Sequence, residues 1–168
     1  MLLLAACSSK EMDVCPRVAV LSDGESLTRF QPGEGRDILD IVFHAQIGDV
    51  VATCTYSKLK DDQRQVAVQL APVFILSRGA ANPDGQVAFS YFVGVVRDGV
   101  ILNKQAFDIT TAFVGNRSRM VLPDDAPPIV VDVPLPYKGA EYEYQILVSF
   151  QLTQAELNYN QNAPSDAD

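Results

Sequence analysis

The chain has 168 residues, of which 13 are basic and 21 acidic, so its formal net charge is −8. This length fits a single domain, and a hydrophobic fraction of 48% is too high for a disordered chain. An isoelectric point near 4.5 argues against a nucleic-acid binding protein, because contact with the phosphate backbone requires clustered Lys and Arg. With one histidine, three cysteines and no tryptophan, the chain has few groups for catalysis or metal binding. We therefore expect no catalytic residue, no metal site and no cofactor.

The N-terminus has an apolar run, two alanines, a cysteine and two serines in the order MLLLAACSS. Its Leu4-Ala5-Ala6-Cys7 segment resembles the lipobox of bacterial lipoproteins, and in size and pattern the whole chain is similar to small lipoproteins of the cell envelope. The resemblance implies that 1–6 is the remnant of a signal peptide. It also implies that Cys7 becomes the first mature residue, with acyl chains such as palmitate on its sulfur and amine. A signal normally includes a basic segment and a longer apolar run, so we expect the true signal to begin further upstream.

The same resemblance implies a location in the cell envelope. Ser8 rather than Asp follows the cysteine, and by the sorting rule of enteric bacteria this favours the outer membrane, with the domain facing the periplasm. Seven residues separate Cys7 from Cys15, and a fully extended tether of this length reaches at most about 28 Å. We therefore expect 7–14 to be a lipid-anchored tether that keeps the domain close to the membrane surface.

The other two cysteines form an even pair once Cys7 is acylated. An envelope protein is exposed to an oxidising compartment, so we expect a disulfide between Cys15 and Cys54. The bridge closes a loop of about 40 residues, which contributes about 4 kcal/mol in the chain-entropy model. The alternative is that both positions are separate buried thiols.

Apolar and polar residues alternate with a period of two over most of 15–152, which is typical of strands with one buried face. The first predicted strand covers 17–21. In the second, 37–56, an apolar face that starts at Leu39 changes its phase by one residue at Gly48. Such a slip at a glycine predicts a β-bulge, and it turns Cys54 toward the core.

The strand predicted over 66–76 contains Pro72. Proline cannot donate a hydrogen bond to a neighbouring strand, so we expect an edge, a bulge or a sheet-switching bend there. Asp98-Gly99 stands between two apolar runs and predicts a tight hairpin, because both residues tolerate the positive φ of a primed turn. The strands on either side of this turn are predicted over 87–95 and 101–111.

The remaining predicted strands cover 117–122, 129–135 and 142–152, the last with an apolar face that begins at Tyr142 and continues to Leu152. A Thr-Gln-Ala-Glu capping box follows it and predicts a short helix over 153–160. The acidic, polar segment 161–168 is predicted to be a disordered tail.

Roughly seven to nine short antiparallel strands with turns between them predict an all-β domain over 15–152. The architecture that we expect is an antiparallel β-sandwich of immunoglobulin-like type with a short C-terminal helix. A small β-barrel is the alternative.

Few residues are candidates for chemistry. His44 lies on the polar face of its strand in the alternation, so we expect a solvent-facing histidine rather than a general base. The acidic pairs Asp61-Asp62 and Asp124-Asp125 lack the twelve-residue loop pattern of an EF-hand, so we expect solvated loop carboxylates.

We therefore expect a noncatalytic, membrane-anchored envelope lipoprotein that acts as a binding or scaffold subunit at the periplasmic membrane surface. Its partners are the membrane, through the N-terminal lipid, and an envelope protein, without nucleic acid and with an undefined oligomeric state. The alternative is a periplasmic-side enzyme or small-ligand carrier with a site built from loops. A concave pocket lined by His44 or by paired carboxylates would favour the alternative. A free sheet edge or an exposed apolar patch would favour the binding module.

Overall fold

A computed structural model of the chain describes residues 14–59 and 63–162. The signal remnant, Cys7 and most of the predicted tether lie outside these described residues. The same is true of Asp61-Asp62 and of the end of the predicted tail, 163–168.

The described residues form nine β-strands and one α-helix. In chain order these are β1 (Arg17–Val20), β2 (Ser26–Phe30), β3 (Ile41–Lys58), β4 (Arg64–Arg78), β5 (Gln86–Arg97), β6 (Val100–Ala112), β7 (Arg119–Pro123), β8 (Ile129–Leu135), β9 (Tyr144–Phe150) and α1 (Gln154–Asn162). In this part of the chain, no helix has the length and hydropathy needed to cross a bilayer.

The strands form two sheets that pack face to face. The first sheet has the order β1-β9-β5-β6, and the second has the order β2-β3-β4-β7 with β8 also paired to β4. Neighbouring strands are antiparallel except for β1, which runs parallel to β9. The predicted all-β sandwich with a short C-terminal helix is confirmed, and the two separate sheets do not close into a barrel.

Aromatic rings fill the space between the two sheets. Phe74 of β4 contacts Phe89, Tyr91 and Phe150 of the opposite sheet, with ring centroids 5.1, 5.0 and 5.7 Å apart. All four residues are buried, and they belong to one core with Phe43 and the inward residues of β9. The predicted inward faces of β4, β5 and β9 are therefore confirmed over these residues.

The predicted bulge in β3 is confirmed at Gly48. The register moves there from Ile47 opposite Phe74 to Asp49 opposite Val73. Beyond the bulge the even-numbered residues pack against the core, and Cys54 is one of them.

Pro72 lies inside the second sheet rather than at its edge. Two strands pair with the same side of β4, one after the other. β8 pairs with β4 as far as Leu70, and β7 pairs with it from Val73 onward, so Pro72 lies opposite the gap between β8 and β7. Its carbonyl accepts a hydrogen bond from the Asp124 backbone N–H on that side, at 2.9 Å. In an antiparallel strand, the N–H and the C=O of one residue point to the same side. The N–H that proline lacks would therefore point into the gap between β8 and β7, so no hydrogen bond between strands is lost.

Three predicted strands begin later than expected: β7 begins at Arg119 rather than at residue 117, and a turn precedes each of β3 and β9. Residues 38–40 form a 3-10 turn in which Asp37 accepts a hydrogen bond from the Leu39 N–H at 2.8 Å, and Leu39 is 69% exposed. Residues 140–143 form a second 3-10 turn, so Tyr142 is 71% exposed rather than on the buried face of β9. Local turn hydrogen bonds therefore override the alternation at both places.

The local turn and capping signals are confirmed. Asp98 and Gly99 have φ values of 51° and 76°, as a primed hairpin turn requires. At the start of α1, the Thr153 N–H donates to Glu156 Oε2 at 2.8 Å and the Glu156 N–H donates to Thr153 Oγ1 at 3.3 Å. The helix extends two residues beyond its predicted end, to Asn162.

The substitution Phe150→Ala tests the assignment of the core. The ring is 1% exposed and contacts Phe74 and Phe89, so its loss should lower the free energy of unfolding by about 3–5 kcal/mol through transfer and cavity terms. The neighbouring Gln151 is exposed, and Gln151→Ala should change this free energy by less than about 0.5 kcal/mol. Denaturant unfolding measures both values, and similar losses in the two variants would contradict the assigned face.

Candidate functional site

The predicted disulfide joins Cys15 to Cys54 in the structure, with their Cα atoms 5.8 Å apart. Cys15 precedes β1 of the first sheet, whereas Cys54 belongs to β3 of the second, so the bond links the two sheets. The Tyr56 hydroxyl also donates a hydrogen bond to the Val14 carbonyl at 2.5 Å. The N-terminal segment is therefore held to the domain at Val14 and Cys15.

This point of attachment lies at one end of the sandwich. In the first sheet, four paired residues lie side by side across the neighbouring strands β1, β9, β5 and β6. They are Arg17, Gln145, Val96 and Ile101. In the second sheet, the turn that joins β3 to β4 follows Lys58. We call this end the Cys15 end and define it by the described residues 14–17, 56–59, 63–64, 97–102 and 134–144.

A shallow cavity of about 380 Å³ lies between the two sheets at the Cys15 end. Arg64 and Leu135 of one sheet line it together with Arg97 and Tyr144 of the other. Arg97 lies over the ring of Tyr144 at 5.3 Å and forms an ion pair with Glu143 at 2.6 Å. The cation is therefore already paired, and it supports the turn before β9.

Large apolar and aromatic side chains are exposed around the Cys15 end. They belong to the N-terminal segment, to the start of β6 and to the connections from β3 to β4 and from β8 to β9. These residues are Val14, Leu59, Val100, Ile101, Leu102, Tyr137 and Tyr142. The end thus has the exposed apolar surface that we expect of a binding module.

β6 forms a free edge of the first sheet. It pairs with β5 along its whole length and is the last strand in the sheet order, so no strand formed by residues 14–59 or 63–162 lies beside one row of its backbone N–H and C=O groups. The first seven residues of β6, 100–106, are all exposed. A free edge of this length can accept a further strand.

The opposite end of the sandwich, which we call the far end, is formed by residues 31–40, 79–85 and 113–118. Beside it, α1 packs against β2 through an edge-to-face contact of Tyr159 with Phe30 at 5.1 Å and an ion pair of Glu156 with Arg29 at 2.8 Å. A cavity of about 250 Å³ lies between α1, β2 and the loop that contains Arg36. Arg36 donates to the carbonyls of its own turn, so the loop is folded back on itself.

His44 lies on the face of β3 opposite the buried Phe43 and Ala45, as expected, but it is half-buried rather than fully solvated. Its Nδ1 is 3.0 Å from Oγ1 of Thr28, a buried residue of the adjacent strand β2. Burial lowers the pKa of His44 below its usual value. His44 borders a groove of about 400 Å³ at the far end, whose lining is mostly apolar and includes no carboxylate. The groove therefore lacks the acidic group that would orient a histidine base.

Asp124 also departs from the sequence prediction of a solvated carboxylate. Its Oδ2 accepts a hydrogen bond from the hydroxyl of Tyr91, which is fully buried. Burial, and next the bond to Asp124, raise the pKa of Tyr91 far above its usual range. The contact satisfies the one polar atom of this core ring and joins β5 to the loop that follows β7.

The described residues include no group of three or more His, Cys, Asp or Glu side chains that could hold a metal ion. The chain matches no protein-family model, no curated protein and no solved structure. The geometry of the described surfaces therefore carries the functional argument, together with the N-terminal motif.

The alternation pattern does not predict the exposed residues at the Cys15 end. The strand predicted over 101–111 includes Ile101 and Leu102, and Val100 directly precedes it. Tyr142 is predicted to lie on a buried face. A signal was present, because three consecutive apolar residues after a tight turn break the alternation of a half-buried strand.

The lowered pKa of His44 predicts an acid-sensitive part of the stability. Below its usual pKa of 6.5 the unfolded chain takes up a proton, whereas the folded domain keeps the ring neutral down to a lower pH. The free energy of unfolding therefore falls as the pH decreases below about 6.5, by at most about 1.4 kcal/mol per pH unit for this proton. His44→Gln should lose less stability than the wild type between about pH 7.5 and about pH 5.5, as measured by denaturant unfolding. Equal losses in both proteins would contradict the prediction.

Proposed function

We propose that the protein is a noncatalytic envelope lipoprotein, anchored through acylated Cys7, whose sandwich binds a partner protein at the membrane surface. The observation that carries the binding role is the free edge of β6, which starts at the end of the domain where the N-terminal segment is attached. The anchor rests on the lipobox-like segment Leu4-Ala5-Ala6-Cys7.

The attachment of the N-terminal segment supports a role close to the membrane. The disulfide holds Cys15 in the fold, and at most about 28 Å of extended chain separates Cys15 from Cys7. An acylated Cys7 therefore keeps the domain within a short distance of the lipid headgroups. The resemblance of the N-terminus favours the outer membrane and the periplasmic side as the location.

The edge of β6 favours a partner that contributes an extended segment. Such a segment adds a strand to the sheet, because its backbone can pair with the free N–H and C=O groups of β6. Further along the strand, Asn103, Gln105 and Ala106 are exposed and can contact the added segment. Backbone pairing then supplies affinity, and these side chains supply selectivity.

Two concave sites favour a small-ligand carrier instead. The groove that His44 borders has a volume of about 400 Å³, within the roughly 300–1,000 Å³ usual for ligand pockets, but its mostly apolar lining includes no carboxylate. The cavity beside α1 has a volume of about 250 Å³, below that range. Of the three charged residues that line this cavity, Arg29 and Glu156 are paired with each other, and Arg36 donates to carbonyls of its own turn. The cavity thus offers little free polar chemistry for a ligand, and the binding module is the stronger proposal.

The substitution Cys7→Ser tests the anchor. The variant should lose its acyl chains and leave the membrane fraction, because serine has no thiol to be acylated. Metabolic labelling with a palmitate analogue, followed by fractionation of the cells, measures both effects. A matched control replaces both Cys15 and Cys54 by Ser, which removes the disulfide and should leave the label in place. An equally labelled band in the Cys7→Ser variant would refute the lipoprotein proposal.

A photo-crosslinking residue tests the edge of β6. When this residue replaces Ala106, an exposed residue of β6, the protein should form a discrete adduct with one envelope protein in intact cells. The control position is Gln69, which is also exposed but lies on β4 in the interior of the second sheet. The adduct should be several-fold more abundant at Ala106 and should decrease when Cys7→Ser is added. Equal yields at the two positions, or no adduct at Ala106, would overturn the assigned binding edge.

A further inference from the structure

We propose that the Cys15 end is the surface that rests on the lipid bilayer, with Ile101 and Tyr142 among the side chains that enter the headgroup interface. The inference rests on the proposed acylation of Cys7 and adds the orientation of the domain. Three observations support it: the length of the tether, the chemistry of this end and its charge.

The length of the tether excludes an inverted orientation. The stretch of β3 from Ile41 to Cys54 is about 40 Å long at the usual rise of about 3.3 Å per residue, so Cys15 lies about this far from the far end. If the far end rested on the bilayer, Cys15 would stand about 40 Å above it. The extended chain from Cys15 to Cys7 reaches at most about 28 Å, which is too short.

The Cys15 end presents the kinds of side chain that bilayer interfaces accept. Tyr137 and Tyr142 are 51% and 71% exposed, and tyrosine favours the headgroup level because its ring is apolar and its hydroxyl polar. Leu59, Ile101 and Leu102 are exposed beside them and can be buried among the acyl chains near the surface. None of these five residues belongs to the core, so packing in the core does not explain why their side chains are apolar or aromatic.

The charge of the Cys15 end also suits a membrane that contains anionic lipid. The whole chain carries a net charge of −8, yet the described basic residues of this end outnumber its described acidic ones. The basic residues are Arg17, Lys58, Arg64, Arg97 and Lys138, and the acidic ones are Asp98, Glu141 and Glu143. Including the neighbouring segment Lys60-Asp61-Asp62 leaves the balance slightly positive. The acidic surface of the molecule therefore lies elsewhere, away from the anionic headgroups.

The test uses the full-length acylated protein on vesicles of phosphatidylethanolamine and phosphatidylglycerol. A photo-crosslinking residue replaces Ile101 or Tyr142 at the Cys15 end, or Ile38 or Val114 at the far end as matched controls. The controls are 77% and 75% exposed, so a difference in yield cannot come from exposure alone. We expect lipid adducts, measured by mass spectrometry, to be at least about five-fold more abundant at the Cys15 end.

The possible outcomes separate the orientation from the anchor. Equal adduct yields at both ends, or a higher yield at the far end, in protein that cosediments with the vesicles would overturn the orientation and leave the anchor intact. Protein that lacks an acyl chain on Cys7 when isolated from membranes would overturn the proposed function and the orientation with it. Cosedimentation with an excess of adducts at Ile101 and Tyr142 supports both.

Discussion

The contact between the apolar faces of the two sheets is the interaction on which the rest of the molecule depends. Phe74 crosses this interface and packs against Phe89 and Phe150, so the second sheet is held to the two central strands of the first. A single sheet with one exposed apolar face is only marginally stable in water, and each sheet therefore needs the other. Because side chains alternate along a strand, a slip of one residue would turn these rings toward solvent. The need to keep them inside determines the register of every long strand.

The bulge at Gly48 connects this core to the Cys15 end of the molecule. Before Gly48, the odd-numbered residues of β3 face inward, and after it the even-numbered residues do. Without this change of phase, Cys54 would face outward and could not meet Cys15 between the sheets. The disulfide in turn determines where the N-terminal segment leaves the domain. A change of one residue in the phase of β3 thus decides whether the disulfide can form and hold the N-terminal segment at the Cys15 end.

The features that could be predicted from the sequence are those decided by near neighbours in the chain. The Asp98-Gly99 turn, the capping box at Thr153 and the slip at Gly48 each depend on a few adjacent residues. By contrast, nothing in the alternation distinguishes an edge strand such as β6 from a central strand. The bond of Tyr91 to Asp124 also joins residues far apart in sequence, so only the packed sheets reveal it. Pro72 is an intermediate case. The sequence indicates that the pairing of its strand is interrupted, but the kind of interruption depends on β7 and β8, which both pair with β4.

The disulfide also determines how the domain would carry tension between the proposed anchor and the proposed partner. A pull on the N-terminal segment reaches the single hydrogen bond at Val14 first and then the covalent bond from Cys15 to Cys54, inside β3. That strand is paired with β4 from Phe43 to Lys58, so the load is spread along a long antiparallel ladder. Without the bond, the whole pull would fall on β1, which is held to β9 by only four residues. The bond therefore protects a short terminal strand from being peeled away from its sheet.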